Sequence, residues 1–328
     1  MAEKIAEKIR ELAELLDEEH IARALGLSVE VVRGVLSGEV PDEALDDFDP
    51  KKPPDVRLVE RKKFIRSKLI GVCSTGGCGA TTLTATLAVL SAKKSGLPVA
   101  AVDLNEFAGL GPALGLDTMG ERAAFYPGVS WWSGGDVGES VVQHPALENL
   151  FAVLGAATAE RYLELKEEVI ASSLREISGA YAVTWVDCPT WPGRWKTVVP
   201  LLDVLIFVLR PDAASVASLW QALPVLRDWE DKMVLVINED GLEGCMTAAE
   251  CRRALKKVTN APVLAVLPEE SYIRQSSLDV RCYALDEPGS PYCQAVEGVL
   301  CELLPDAGPA RKKQSGVLDA LAGLFRRG

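Results

Sequence analysis

From residue 68 onward, short apolar runs alternate with longer segments in which apolar residues recur at helical spacing. The short runs predict strands at residues 69–73, 98–102, 149–154, 182–186, 203–209, 232–237 and 262–267. The longer segments predict helices, among them residues 81–94, 158–178, 213–228 and 247–258. Nearly continuous apolar strands joined by helices are typical of a parallel sheet that is covered on both faces. We therefore expect one α/β domain over residues 68–308, with a mostly parallel sheet and helices on both faces.

A separate helical pattern precedes residue 50. Apolar residues first recur at the spacing of one helix face, at Ile5, Ile9, Leu12 and Leu16. The following stretch, HIARALGLSVEVVRGVLSG, has the pattern of a helix-turn-helix. The residues expected to face inward are Ile21, Ala22, Leu25, Val32, Val35 and Leu36. Gly26 is expected to make the turn, and Ser28 to cap the second helix. We interpret residues 1–50 as a small all-α domain.

The charge of this N-terminal segment bears on what it binds. Residues 1–50 carry 14 acidic and 5 basic side chains, a net of −9, whereas residues 51–68 carry 8 basic and 2 acidic, a net of +6. The reversal, around DPKKPPD, predicts a basic linker at residues 51–67. The second helix of the motif offers one basic residue, Arg33, and phosphate contacts supply most nucleic-acid affinity. Two interpretations stay open: a structural or protein-docking unit, which the charge favours, and a unit that reads DNA.

The composition of all 328 residues argues against several classes of protein. A net charge of −12 argues against a surface that binds nucleic acid throughout. The eight cysteines include no Cys-x-x-Cys pair and there are only two histidines, so no zinc or iron–sulfur site is expected. The start of the chain lacks a signal-peptide pattern, and no apolar run approaches the ~18 to 20 residues that span a bilayer. We expect a cytoplasmic protein with reduced cysteines.

Residues 309–328 form a distinct amphipathic pattern. Apolar residues fall on one helical stripe, at Val317, Leu318, Leu321, Leu324 and Phe325. Five basic residues and one acidic residue within 311–328 give a net charge of +4. This combination is typical of a peripheral helix on the inner face of a membrane. The alternative is a helix that packs back on its own domain.

The stretch GVCSTGGCGATTLTATLA, residues 71–88, carries the most specific chemical signal. A strand enters a glycine cluster and a helix leaves it through two threonines, which is the context of a phosphate-binding loop. The lysine that normally precedes the first threonine is missing, since the order is Gly77, Cys78, Gly79, Ala80, Thr81. The loop therefore retains the backbone of a phosphate site without its charge.

Three polar residues end predicted strands. Asp103 follows PVAAV, Asp187 follows AVTWV, and Asn238 follows MVLVI. Ligands of open α/β sheets bind at the carboxyl ends of the strands, where these residues and the glycine loop would meet. The sequence thus predicts one shared ligand site at this edge.

With these motifs in place, the sequence resembles the MinD/ParA family of P-loop ATPases, and within it the CpaE/TadZ-like proteins. The family's loop, Lys-Gly-Gly-x-Gly-Lys-Thr-Thr, lies over residues 75–82. The other matching segments are VDLNEFAGLGPALGLD with Asp103, VDCPTW with Asp187 and Pro189, LVIN with Asn238, and AVLPEE with Pro268. The resemblance covers residues 68–305.

The resemblance implies a P-loop NTPase fold, ATP and Mg²⁺ as cofactors, and an ATP-dependent homodimer. It implies nucleotide contacts at Gly76, Gly77, Cys78, Gly79, Ala80, Thr81, Thr82, Asn238 and Pro268. Thr81 and Asp103 would hold the metal, and Asp103 and Asp187 would serve catalysis. The implied protein partner belongs to a pilus, secretion or conjugation system.

The departures from the family bear on activity. Both family lysines are absent, replaced by Thr75 and Ala80, and Asn105 stands where a second aspartate is usual. Losing a charge-assisted contact costs roughly 1.5–3 kcal/mol of binding, whereas a cation on the transferring phosphoryl group is worth ~10³–10⁵ in rate. Hydrolysis therefore suffers more than binding.

The leading hypothesis is a nucleotide-binding switch that positions a pilus, secretion or conjugation assembly, with weak or absent ATP hydrolysis. One alternative is a ParA-like partition regulator that contacts DNA through the N-terminal helices. A second is a pseudo-ATPase scaffold that needs no nucleotide. The tryptophans around Asp187, namely Trp185, Trp191 and Trp195, are interpreted as core or interface residues.

Overall fold

The structure, a computed structural model, describes residues 5–13, 16–25, 29–38, 67–116, 137–156 and 158–305. The chain divides into two units, Met1–Lys63 and Phe64–Gly328. The predicted tail at 309–328 lies outside the described residues, as does the predicted linker except for residue 67. In the part of the chain that is described, no helix is both long and apolar enough to cross a membrane.

The N-terminal unit contains three short helices among its described residues: α1 Ile5–Ala13, α2 Glu18–Leu25 and α3 Val29–Ser37. Their shared core is made of Ala6, Ile9, Ile21, Ala22, Val32 and Val35. The expectation that Leu36 packs inward is wrong, because this side chain is 38% exposed. Val32 and Val35 already fill the inner face of α3, and the next residue along points about 100° away from it. The predicted turn and cap, Gly26 and Ser28, lie outside the described residues.

The second unit is built on one sheet of eight strands among the described residues. The strands are β1 Lys68–Cys73, β2 Val99–Asp103, β3 Val141–His144, β4 Leu147–Val153, β5 Val183–Asp187, β6 Val204–Leu209, β7 Met233–Asp240 and β8 Val263–Pro268. Their order is β3-β4-β2-β5-β1-β6-β7-β8, and every neighbouring pair is parallel except β3–β4. The mostly parallel sheet is confirmed. The short edge strand β3 was not predicted, because its mixed sequence Val-Val-Gln-His lacks an apolar run.

Helices cover both faces of this sheet, as expected. They are α4 Ala80–Ser95, α5 Leu110–Ala113, α6 Ala159–Glu164, α7 Glu167–Ala180, α8 Pro192–Val198, α9 Ala213–Leu226, α10 Ala248–Leu255, α11 Ser271–Leu278, α12 Tyr283–Asp286 and α13 Pro291–Leu303. Short 3₁₀ turns occupy Gly138–Ser140, Val199–Leu201 and Arg227–Lys232. Helices α4, α12 and α13 pack on one face and α7 to α10 on the other. The helix predicted over 158–178 is two helices, since Leu165 and Lys166 between them are extended.

Helix α4 is buried along most of its length and sets the position of the glycine loop. Its buried residues lie on all sides, as expected for a helix inside an α/β core. Trp185 of β5 donates its indole N–H to Ser91 Oγ at 2.8 Å, which ties α4 to the sheet. On the opposite face, a side chain at Gly71 would overlap Leu202 and lie 2.8 Å from Cys188 Sγ. Strand β1 and helix α4 are therefore held rigidly on either side of the loop.

Candidate functional site

The loop between β1 and α4 adopts a conformation that depends on glycine. Gly76, Gly77 and Gly79 have φ angles of 106°, 66° and 85°, in the left-handed region that L side chains rarely adopt. Successive residues in such conformations turn their backbone N–H groups toward a common point, which can bind an anion. Open space surrounds the Cα atoms of Gly76 and Gly77, whereas a Cβ on Gly79 would overlap the Asn238 amide. The loop is thus open to a ligand on one side and closely packed on the other.

Asn238, near the end of β7, contacts this loop directly. Its Nδ2 donates to the backbone carbonyl of Cys78 at 2.9 Å. The residue is only 5% exposed, and its Oδ1 has no hydrogen-bond partner among the described residues. A buried acceptor without a donor is costly, so Oδ1 is suited to a ligand N–H group. Asn238 therefore both supports the loop and offers an acceptor to a ligand.

Two buried carboxylates lie on the other side of the loop. Asp103 ends β2 and Asp187 ends β5, and they are register partners in adjacent parallel strands. The Thr81 hydroxyl donates to Asp187 Oδ2 at 2.7 Å. Asp103 accepts from the backbone N–H groups of Asn105 at 3.0 Å and Leu110 at 2.9 Å. Thr81 and Asp103 are the two metal ligands predicted from the sequence. The Thr81 hydroxyl contacts Asp187, however, and not Asp103.

Both carboxylates bind protons more tightly than usual. Burial raises the pKa of Asp103 to about 7, although the N–H groups of Leu110 and Asn105 lower it. Burial, and then the charge of Asp103, raises the pKa of Asp187 well above its usual range, while the Thr81 hydroxyl opposes this change. A divalent cation between these groups would offset both the burial and the repulsion.

The oxygen donors present fit magnesium. Asp187 Oδ1 is buried and has no hydrogen-bond partner among the described residues, which leaves it free to bind a cation. In the described residues, no cluster of three or more His, Cys, Asp or Glu side chains could hold a metal alone. Mg²⁺ at phosphate sites typically uses one or two carboxylates together with phosphate oxygens and water. Thr81, Asp103 and Asp187 are consistent with that mode.

The loops that follow β2 and β5 are joined by a contact that was not predicted. Glu106 accepts hydrogen bonds from Thr190, both from its backbone N–H, at 3.1 Å, and from its hydroxyl. Beside this contact, Phe107 and Trp191 are 80% and 57% exposed. The only signal in the sequence was that Glu106 lies three residues after Asp103, in the same polar loop. Two large apolar side chains thus lie at the surface next to the Glu106–Thr190 contact.

A cavity of about 480 Å³ opens beside the glycine loop. Its lining includes Gly77, Gly79, Thr82, Asn238, Pro268 and Arg274. Its volume falls in the range of small-molecule sites, roughly 300–1,000 Å³. The fold therefore brings five predicted contact residues to one cavity, and adds Arg274 of α11, which sequence reasoning did not identify.

The two positions where the family has lysine carry no positive charge, and the cysteines in and near the loop do not favour the thiolate form. Ala80 is buried at the start of α4, and Thr75 is exposed. Cys78 lies in the loop, and burial raises the pKa of its thiol despite a hydrogen bond with Ser215. Burial also raises the pKa of the Cys188 thiol. These thiols are suited to packing rather than to nucleophilic chemistry.

Comparison of the sequence with known proteins finds a distant relative. No protein-family model matches the sequence. An uncharacterized ATP-binding protein of Methanocaldococcus jannaschii is 25% identical over 263 residues, which are 77% of this chain and 94% of that protein.

Solved structures with TM-scores near 0.6 cover about three quarters of the chain. MinD of Pyrococcus horikoshii, complexed with Mg-ADP, has a TM-score of 0.62 and 23% identity, over 74% of this chain and 97% of that one. The fold is that of the MinD and ParA ATPases. A chain of the MinC:MinD complex of Aquifex aeolicus has a TM-score of 0.61 and 21% identity, over 75% and 98% of the two chains. A ParA-family ATPase of Chlorobium tepidum has a TM-score of 0.61 and 19% identity, over 71% and 99%.

The MinD/ParA fold confirms the P-loop NTPase architecture expected from the sequence. The CpaE/TadZ branch stays a prediction, because identities in this range establish the fold alone. The role of each site residue is likewise a proposal, developed below from the contacts of this chain.

Proposed function

We propose that this protein binds ATP with Mg²⁺ and hydrolyses it slowly or not at all. The observation that carries the proposal is the glycine loop itself. It keeps the left-handed backbone of a phosphate site and places Thr81 against Asp187, yet has no charge at positions 75 and 80. Such a loop retains what is needed for binding and lacks what accelerates phosphoryl transfer.

Each predicted residue has a role in this proposal. The backbone of residues 76–82 binds the phosphates, including Cys78 and Ala80 through their N–H groups. Asn238 Oδ1 accepts from the purine base, which lies near Pro268 in the same cavity. Thr81, Asp103 and Asp187 hold the metal, and the two aspartates serve whatever hydrolysis occurs. Bound magnesium would supply positive charge to the phosphates.

Binding and turnover are separable by experiment. Titration calorimetry with ATP and Mg²⁺ should detect binding, and phosphate release measured on the same samples should show turnover well below about 1 per second, the low end of ordinary enzymes. No binding at millimolar ATP would favour the nucleotide-independent scaffold. Turnover above that rate would mean that another cation replaces the lysines in catalysis.

A switch function further requires nucleotide-dependent assembly. We propose an ATP-dependent homodimer in which Phe107 and Trp191, exposed beside the site, contact the second copy. Sedimentation velocity should show a shift toward dimer with Mg-ATP and a smaller shift with Mg-ADP. Trp191→Ala should reduce it, whereas Trp220→Ala, a tryptophan 64% exposed on α9, should not.

The assembly that this switch would position is proposed to be a pilus, secretion or conjugation apparatus. Support comes from the resemblance of the loop to CpaE/TadZ-like proteins. Affinity purification of the full chain from its native cells, with ATP and with ADP, would test it. ATP-dependent recovery of components of such an apparatus is the expected result, and recovery of a centromere-binding protein would favour a partition role instead.

DNA binding by the N-terminal unit is the weaker alternative. Arg33, the basic residue of α3, forms an ion pair with Glu18 of α2, with Nε and Nη2 at 2.9 and 2.8 Å from Glu18 Oε2. An arginine that is paired within its own unit contributes less to phosphate binding, which favours protein docking. Fluorescence anisotropy with random duplex DNA tests this. Salt-dependent micromolar binding that Arg33→Ala abolishes would support DNA reading.

Peripheral membrane contact through residues 311–328 is also proposed, on the charge and apolar stripe of that segment. One amphipathic tail binds a bilayer marginally, whereas two in a dimer bind more firmly. Sedimentation with anionic liposomes should therefore recover more of the full chain with ATP than a chain ending at residue 310. Equal recovery of the two would contradict a membrane role.

A further inference from the structure

Arg274 of α11 is the single basic side chain among the described residues that line the cavity beside the glycine loop. Three glutamates, Glu239, Glu269 and Glu270, line the same cavity. Without Arg274 every charged residue of the described lining would be acidic, and these residues would repel a nucleotide's phosphates. The arginine is 65% exposed at its side chain, so it can move toward a ligand.

Arg274 forms an ion pair with Glu239. Arg274 Nη2 lies 3.6 Å from Glu239 Oε1, and Arg210 Nε lies 2.9 Å from Glu239 Oε2. One carboxylate therefore bridges two arginines, one from the end of β6 and one from α11. Glu239 has a φ of 60°, in the left-handed region that non-glycine residues rarely adopt.

Glu239 also links the arginine to the glycine loop through its neighbour in the chain. It directly follows Asn238, whose side chain contacts the Cys78 carbonyl at 2.9 Å. Arg274 thus pairs with the residue that follows Asn238. It also lines the same cavity as Gly77 and Gly79. The Arg274 side chain is exposed enough to turn away from Glu239, and its planar group binds phosphate through two N–H donors.

We propose that Arg274 binds the phosphates of the nucleotide, leaving Glu239 for them when the ligand enters. It thereby supplies the positive charge that positions 75 and 80 lack. This inference rests on the proposed nucleotide binding, because the ligand is the same. It assigns to a residue outside the glycine loop a contact that the loop sequence cannot provide.

The test compares ADP with adenosine, in the presence of Mg²⁺, by titration calorimetry on the full chain. Arg274→Gln should weaken ADP binding about ten- to a hundredfold, as expected for one charged hydrogen-bonding group. It should leave adenosine, measured directly or by competition with ADP, unchanged. Arg274→Lys keeps the charge and should retain most of the ADP affinity. Arg281→Gln is the matched control, since Arg281 pairs with Asp286 at 3.0 Å instead.

The outcomes distinguish this inference from the proposed function. If the wild-type chain binds no nucleotide, both are wrong. If it binds ADP and Arg274→Gln binds equally well, only the role of Arg274 is wrong. Equal losses of ADP and adenosine, or a Lys variant as weak as the Gln variant, would also overturn it, because the arginine would then only shape the cavity. Glu239→Gln, which releases Arg274 from its partner, should bind ADP at least as tightly as the wild type.

Discussion

The two sides of the glycine loop balance charge in opposite ways. Toward β2 and β5, two fully buried carboxylates lie together with a hydroxyl and backbone N–H groups but no described cation in contact. Toward β7 and α11, Glu239 lies between Arg210 and Arg274, so both arginines are already paired. The first side therefore lacks positive charge, whereas the second holds it in internal ion pairs.

This difference predicts different responses to a ligand. A cation that binds the first side relieves repulsion between Asp103 and Asp187, so binding and stability should rise together. A phosphate that binds the second side must replace a carboxylate partner of similar charge, so the net gain is smaller. The first three substitutions below test this contrast, beginning with the one that should affect both sides, and a fourth lies away from the site.

The largest effect is expected for Gly79→Ala, at the boundary of the two sides. A Cβ at φ 85° would overlap the Asn238 amide and break its bond to Cys78. Left-handed strain together with a lost buried hydrogen bond should lower the free energy of unfolding by about 2–4 kcal/mol and abolish nucleotide binding. Urea denaturation and calorimetry measure these two quantities.

Gly96→Ala is the matched control for that prediction. Gly96 has a φ of 62° at the end of α4, and no atom lies within 4 Å of its added Cβ. Gly96→Ala should lower the free energy of unfolding through backbone strain alone, and nucleotide binding should be unchanged. If the two variants lost equal stability, the contact with Asn238 would contribute nothing.

Asp187→Asn tests the carboxylate side alone. The amide oxygen of the variant can still accept from the Thr81 hydroxyl, but the charge that should attract magnesium is gone. The factor by which Mg²⁺ increases ATP affinity should be at least about tenfold smaller for the variant than for the wild type. Binding of ADP without metal should stay similar. Asp203→Asn, which alters a carboxylate bonded to the Leu69 N–H, is the control. An unchanged magnesium effect would place the metal elsewhere.

Ala80→Lys tests the charge missing from the loop. It should tighten ATP binding by roughly 1.5–3 kcal/mol, about ten- to a hundredfold, while phosphate release stays low because position 75 is still Thr75. Ala80→Met has a similar length and no charge, so it should not tighten binding. If Met and Lys behaved alike, volume rather than charge would explain the gain. Adding Thr75→Lys to the lysine variant should then raise turnover.

The smallest effect is expected away from the site, at His144 in β3. Its Nδ1 accepts from the Ala146 N–H at 3.1 Å, and its Nε2 donates to the Leu114 carbonyl at 2.9 Å, so the ring is neutral. Burial lowers the pKa of His144 below 6.5. Its contribution to stability is therefore complete above 6.5 and is lost as the pH falls through the lowered value.

The measurement is the free energy of unfolding at pH 5.5 and 7.5 for the wild type and His144→Gln. Their difference should be larger at pH 7.5, since the wild type loses the His144 contribution at acid pH. Taking the difference removes shared groups such as Asp103, whose raised pKa acts in the opposite direction. A difference independent of pH would contradict a neutral buried histidine.

Much of the architecture was readable from local pattern. Apolar runs predicted seven of the eight described strands to within a few residues, because burial on both faces requires side chains without polar groups. The exception, β3, is an edge strand with a polar face, and the break at Leu165 interrupts a segment whose periodicity continues through it. Both errors occur where tertiary contacts outweigh local preference.

The sequence by itself determined which groups occur at the site: a glycine loop without lysine, two aspartates and an asparagine that end apolar strands. Only the tertiary structure decided which of them meet. Strand β5 inserts between β2 and β1, so Asp187 lies beside both Asp103 and Thr81, and Asn238 reaches Cys78 from 160 residues away. The pairing of Arg274 with Glu239 likewise has no local signal, because a charged residue on a helix reads as a solvated surface group until its neighbours are known.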